Sequence, residues 1–239
     1  MKKINARDYQ WQELNDVVRA TTGDIELEGC LGERFIACGA ADRKITISGV
    51  PGNALGAYLN GAEIECLQNV QDAVGDTMNS GRIIVRGSAG DALGYAMRGG
   101  SIYVHGDSGY RTGIHMKEYM EKRPVIVVGG SAGSFLGEYL AGGLIIVLGL
   151  GSDTFPAGGF TGTGMHGGEI WLRSDALPPV LPEQVCVTRV EADGISGIMP
   201  YLSDFSQLFD VPMSELTAKG FWRLTPNAKS PYKRLYTPN

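Results

Sequence analysis

Residues 90–106, Gly90-Asp91-Ala92-Leu93-Gly94-Tyr95-Ala96-Met97-Arg98-Gly99-Gly100-Ser101-Ile102-Tyr103-Val104-His105-Gly106, are one copy of a unit that recurs through most of the chain. Anchored on the first residue of its apolar run, the unit repeats at Ile25, Ile45, Ile64, Ile83, Ile102, Val125, Ile145 and Ile170, in steps of 20, 19, 19, 19, 23, 20 and 25. A step of about 19–20 residues is a solenoid period.

Other positions keep pace with these anchors. Five residues before each stand Leu59, Met78, Met97, Met120, Leu140 and Met165; nine before stand Leu55, Val74, Leu93, Met116, Leu136 and Thr161. These read as inward apolar columns. Gly56, Gly75, Gly94, Gly137 and Gly162 lie eight before the anchor, with Lys117 departing, and Gly81, Gly100, Gly143 and Gly168 lie two before it, with Ala62 and Arg123 departing. Glycine columns suit corners where φ is positive or one coil closely approaches the next.

The period also limits the shape. A crossover helix needs a dozen or more residues, and the segments between runs are too Gly-rich to supply one, each interior Gly costing about 1 kcal/mol against Ala. The strands must stack on one another at about 4.8 Å, in parallel ladders. The expected fold is an all-β solenoid, a right-handed parallel β-helix of about seven to eight coils over residues 21–175.

Composition agrees with this. Of 239 residues 35 are Gly without three-residue spacing, and an apolar fraction of 43% can fill a continuous core. A net charge of −5 argues against nucleic acid or an anionic membrane as partner. The start, MKKINARDYQWQEL, has no apolar signal region, and no apolar run reaches the length of a membrane span, so a cytoplasmic protein is expected. Cys30, Cys38, Cys66 and Cys186 lack metal-ligand spacing and read as buried free thiols, with neither an iron–sulfur cluster nor a disulfide.

Around the solenoid the chain reads in three parts. Residues 1–20 hold a short amphipathic helix at 8–20, with Tyr9, Trp11, Leu14, Val17 and Val18 on one face, expected to cap the first coil. Two insertions interrupt the coils, one of about four residues around 109–115 and one of about five at 150–157. Residues 176–239 break from the pattern at Leu177-Pro178-Pro179-Val180-Leu181-Pro182, then read as a strand at 184–190, a helix near 195–209, a short helix at 212–218 and an extended basic, aromatic arm from Phe221 onward. Insertions and extended arms are where binding surfaces concentrate, which makes Tyr110, Arg111, Phe155, Trp222, Tyr232 and Tyr236 the candidate partner contacts.

Two catalytic motifs match and fail on context. Gly129-Gly130-Ser131-Ala132-Gly133 has the form of a nucleophile elbow, but no helix follows it and the same corner recurs at Gly87-Ser88-Ala89-Gly90. Gly162-Thr163-Gly164-Met165-His166-Gly167 matches a dinucleotide fingerprint yet runs into a strand rather than opening a helix. His105, His115 and His166 are too scattered for a metal site, and Asp76, Asp91, Glu118 and Glu138 read as a solvated face rather than paired catalytic acids. No catalytic, cofactor-binding or metal-binding residue is assigned.

The serial Leu-Gly pairs at 55–56, 93–94 and 136–137, the doublets Gly99-Gly100, Gly142-Gly143 and Gly167-Gly168, and the strings IYVHGDSGYRTG and GMHGGEIWLR resemble the C-terminal GXGXG-repeat β-helix of the glutamate synthase large subunit. More distantly, the repeat resembles the subunit of formylmethanofuran dehydrogenase that bears the same motif. The resemblance to glutamate synthase implies a non-catalytic scaffold subunit of a split enzyme. Its partners would be a glutamine amidotransferase chain and a synthase chain carrying FMN and an iron–sulfur cluster, held in register for ammonia transfer, with no cofactor in this chain. The alternatives are a scaffold like that of formylmethanofuran dehydrogenase and an independent binding or self-associating module.

Overall fold

The structure, a computed structural model, describes residues 1–227. The chain winds as a parallel β-solenoid whose main sheet takes one strand from each coil: β1 (Lys2–Asn5), β2 (Ile25–Leu31), β3 (Lys44–Val50), β4 (Asn60–Cys66), β5 (Ser80–Val85), β6 (Ser101–Val104), β7 (Val125–Val128), β8 (Ala141–Val147) and β9 (Gly167–Arg173). These strands are hydrogen-bonded in sequence order. Every pair from β1 to β9 is parallel.

Register stacks like on like. Ile25, Ile45, Ile64, Ile83, Ile102, Ile126, Ile145 and Ile170 form one inward column, and Leu27, Ile47, Cys66, Val85, Val104, Val128, Val147 and Leu172 form the next. All are buried. Gly94 explains the glycine column: its φ is +67°, and a Cβ there would lie 2.4 Å from Ile126 Cδ1. The coil needs a left-handed residue at this point, and the isoleucine tip needs the space.

The sheet corrects the repeat at one coil. Ile126, not Val125, is opposite Ile102, so the anchor there moves by one residue. Met120 is 83% exposed, and Met116 instead occupies the inward place of Met97, with Gly113 standing where Gly94 stands one coil earlier. The insertion therefore falls after Met116, at 117–124, where Tyr119 and Lys122 form an isolated bridge. A run such as VIVVG, apolar on both faces, gives no periodicity from which to choose between adjacent anchors.

Both ends also differ from the sequence reading. Before the capping helix, β1 pairs in parallel with β2, so the sheet starts at Lys2. The helix itself is α1 (Trp11–Ala20), shorter than 8–20; its first turn is fixed by Gln10 N–H donating to Glu13 Oε2 at 3.2 Å, and Leu14 and Val18 are buried against the first coil. At the other end, α2 (Met199–Phe209) and α3 (Met213–Leu216) precede β11 (Phe221–Pro226), with β10 (Val185–Val190) earlier in the chain. β11 pairs antiparallel with β9, and β10 antiparallel with β11. Phe221–Pro226 is thus a strand of the sheet rather than a free arm.

The outward face of the sheet changes character along its length. The outward column reads Glu26, Thr46, Glu65, Ile84, Tyr103, Val127, Ile146, Trp171. At the polar end Lys44 bridges Glu63 and Glu65 while Arg86 meets Glu65 at 2.7 Å. At the apolar end a second core forms, with Ile195, Ile198, Leu202, Phe205, Leu216 and Phe221 buried against Tyr103, Val127, Ile146 and Trp171. Tyr103 donates to Asp204 Oδ2 at 2.9 Å, and buried Arg173 ties α3 down by donating to Leu148 O and Glu215 O.

Candidate partner interface

Opposite the sheet, each coil returns through a turn with an alternating left-handed backbone. In one column stand Phe35, Ala54, Ala73, Ala92, Arg111, Phe135 and Phe160, with φ between 56° and 63°; in another stand Tyr58, Thr77, Ala96, His115 and Tyr139, with φ between 52° and 57°. A left-handed conformation costs a residue with a Cβ about 1–2 kcal/mol. The coil imposes that geometry to turn Leu55 and Leu59, and their equivalents, inward. It does not require the side chain to be large, since alanine fills the same place in three coils.

From the fifth coil onward the side chains here are aromatic or basic and stack on one another. Phe135 and Phe160 are stacked at 4.9 Å and 11°, Arg111 Cζ lies 5.1 Å over Phe135, and Arg111 Nε pairs with Glu138 Oε2 at 2.9 Å. His115 stacks on Tyr139 at 5.1 Å and 8°, and Tyr95 meets His115 edge-on at 6.0 Å. Ring pairs of this kind are worth about 0.5–1.5 kcal/mol beyond area burial. Yet Phe160 remains 63% exposed and Tyr110 54%. Rigid rings with open faces, beside an arginine, have the composition of an interface centre.

Of the six contacts expected from sequence, Tyr110 and Arg111 lie on this face. Phe155 is part-buried against the main core, and Trp222 donates to Ala176 O at 2.9 Å under the Arg189 guanidinium, so both are engaged within the chain. Tyr232 and Tyr236 lie outside the described residues. Sequence reasoning missed Phe135, Tyr139 and Phe160. Their signal was present, Phe135 and Phe160 at one repeat position in successive coils and Tyr139 at another, one coil after His115, but it was submerged in the Leu and Gly columns beside them.

The chemical candidates disperse. Ser131 is a corner residue whose amide donates to Asp107 Oδ1 at 2.7 Å. His105 packs against Phe209, His115 lies in the aromatic stack, and His166 Nδ1 is 3.1 Å from Gly164 O, so the three histidines occupy separate places. Among the described residues no group of three or more His, Cys, Asp or Glu side chains could hold a metal ion. The carboxylates act singly: Asp91 Oδ1 accepts from the Tyr110 amide, Asp76 Oδ1 from the Thr77 hydroxyl, Glu118 pairs with Arg123 and Glu138 with Arg111. Along the Asn53, Asp72, Asp91 column each side-chain oxygen accepts an amide from the next coil, which offsets the repulsion of stacked charges. Two thiols expected to be buried, Cys38 and Cys186, are exposed.

Comparison with known proteins bears on the fold and the family. The GXGXG motif family model matches residues 7–226. The chain belongs to the GXGXG motif family. It is 38% identical over 251 residues to a protein of Methanocaldococcus jannaschii described as Uncharacterized protein MJ1350, an alignment covering 99% of this chain and 96% of that one. Among solved structures, a chain of the formyltransferase/hydrolase complex from Methylorubrum extorquens, determined in complex with methylofuran, is similar with a TM-score of 0.64 and 20% identity. That alignment covers 84% of this chain and 72% of the other, and it shows a shared fold. Among the described residues no helix is long and apolar enough to cross a membrane.

Proposed function

We propose that the chain is the non-catalytic scaffold subunit of a split glutamate synthase, positioning a glutamine amidotransferase chain and an FMN- and iron–sulfur-bearing synthase chain for ammonia transfer in the cytoplasm. The observation that carries a scaffold role is the exposed ring ladder on the left-handed turn face. It sets large, partly exposed side chains where alanine serves the same turn in three coils, and it offers a rigid, partly apolar surface. The choice of glutamate synthase rests on the repeat strings that resemble its β-helix, and the cofactors belong in this reading to the partner chain.

A second reading, the scaffold of a formylmethanofuran-type enzyme, is favoured by the shared fold with a chain of the formyltransferase/hydrolase complex. Affinity purification of the tagged chain from its native host separates the two. Flavin absorbance with an amidotransferase chain supports the first reading, and a molybdenum or tungsten enzyme supports the second. Phe160→Asp and Arg111→Glu should weaken recovery of the partner chains while leaving the circular dichroism spectrum unchanged. Full recovery with both variants removes the turn face as the interface.

A further inference from the structure

The two ends of the solenoid are finished differently. At the amino end α1 closes the core with Leu14 and Val18. At the carboxyl end α2 and α3 lie on the outward face of the sheet, in the second core, and leave the end of the stack to β11 and β10. The inward columns continue past the last full coil as Ile170, Leu224, Val187 and as Leu172, Trp222, Arg189. Leu224 is buried, but Val187 is 39% exposed, and the segment leading into β10 exposes Leu177 at 79% and Val180 at 98%. Leu181 and Val185 pack against the main core at this end and the Arg189 guanidinium lies over Trp222, which leaves Val187 as the exposed apolar residue of the two columns.

β10 also presents a strand edge. It is last in the sheet order, six residues long and free of proline. The Asn227 amide donates to Gln184 O at 2.8 Å, so the even-numbered residues direct their backbone groups toward β11. Val187 and Arg189 therefore direct theirs to the far side of β10, where no strand pairs among the described residues. Unprotected edges of this length are templates for another strand.

We propose that this end pairs with the same end of a second copy of the chain, β10 against β10, antiparallel about a two-fold axis at Cys186. In an antiparallel pair the opposed residues share a face, so a two-fold must be centred on a residue. Centring on Val187 sets Val185 against the partner's Arg189. Centring on Thr188 sets Val187 against the partner's Arg189 and Val185 against the partner's Glu191. Centring on Cys186 sets Val185 against the partner's Val187 on the inward face, both ways, and Gln184 against the partner's Thr188 on the outward face. That register continues the apolar core through the junction, covering the exposed Val187, and puts the Val187 amide opposite the partner's Val185 carbonyl. Glu183 lies in the turn closed by the Val185 amide on Pro182 O, outside the paired strand, and Arg189 at the rim already meets Asp175 and Glu191 of its own chain. The two Cys186 residues form a non-hydrogen-bonded pair, with a Cα separation of about 4.5 Å.

Sedimentation equilibrium of the full chain at micromolar concentration tests the pairing. The expected mass is twice the 25.5 kDa of the chain. Val187→Pro deletes only an edge amide, and Val187→Lys sets a charge in the junction; both should halve the mass while the folded spectrum persists. In a Cys38→Ser background, mild oxidation should give a covalent dimer that Cys186→Ser abolishes. A monomeric wild-type chain overturns the proposal, as does a dimer that survives both Val187 substitutions or fails to cross-link through Cys186.

Discussion

Gly81→Ala, compared with Gly23→Ala, isolates what the glycine corners contribute. Both positions have positive φ, +100° at Gly81 and +75° at Gly23. At Gly23 an added Cβ meets nothing within 4 Å, whereas at Gly81 it would lie 2.3 Å from the Ala62 carbonyl oxygen on the preceding coil. The conformational penalty of about 1–2 kcal/mol applies to both. Only Gly81 adds the cost of forcing two backbones apart, about 1–3 kcal/mol by analogy with overpacking. Gly23→Ala should therefore lose about 1–2 kcal/mol and Gly81→Ala about 2–5 kcal/mol. Urea unfolding followed by circular dichroism and by tryptophan fluorescence measures both, coincident transitions licensing a single free energy. Equal losses at the two sites would refute the claim that close approach of coils, rather than φ alone, selects these glycines.

Burial pushes the Cys30 thiol up to about 12 and the Cys66 thiol up to about 11, so at mildly alkaline pH a thiol reagent should modify Cys38 and Cys186 in the folded chain and reach the other two only on denaturation. Burial alone would raise the Glu65 carboxyl, but hydrogen bonds from Arg86 and Lys44, with their charges, outweigh it and hold the group below the usual carboxylate range. Its stabilisation is present above the unfolded-state pKa and lost as pH falls through the depressed folded value, so melting temperature should fall less steeply with acidification in Glu65→Gln than in the wild type. Phe205→Ala, which empties the centre of the second core, should cost about 3–5 kcal/mol and make α2 susceptible to limited proteolysis.

The solenoid was legible because its period is carried by residues with no substitute. Leu, Ile and Met must point inward once per coil, and Gly must stand where Ile126 Cδ1 or an adjacent carbonyl leaves no room. What was lost lies where one residue type serves two roles. Val125 and Ile126 are both buried, one outward under the carboxyl-terminal layer and one inward, so apolarity could not choose the anchor. Residue type and spacing alone point Met120 into the core, while the chain spends it on an exposed insertion. β11 carries Trp222 and Arg223 among prolines and bases, a composition that reads as an arm, and becomes a strand only because β9 offers an open edge. The ring ladder was hidden for a further reason: left-handed φ at Phe135, Tyr139 and Phe160 follows from the coil and is not a preference of those residues.

The most direct test of the scaffold role is mass spectrometry of what accompanies the tagged chain when it is isolated gently from its native host, with an absorbance spectrum of the same fraction. The account predicts stoichiometric catalytic subunits, with flavin and iron–sulfur absorbance and an amidotransferase chain. A colourless fraction containing this chain alone would contradict it.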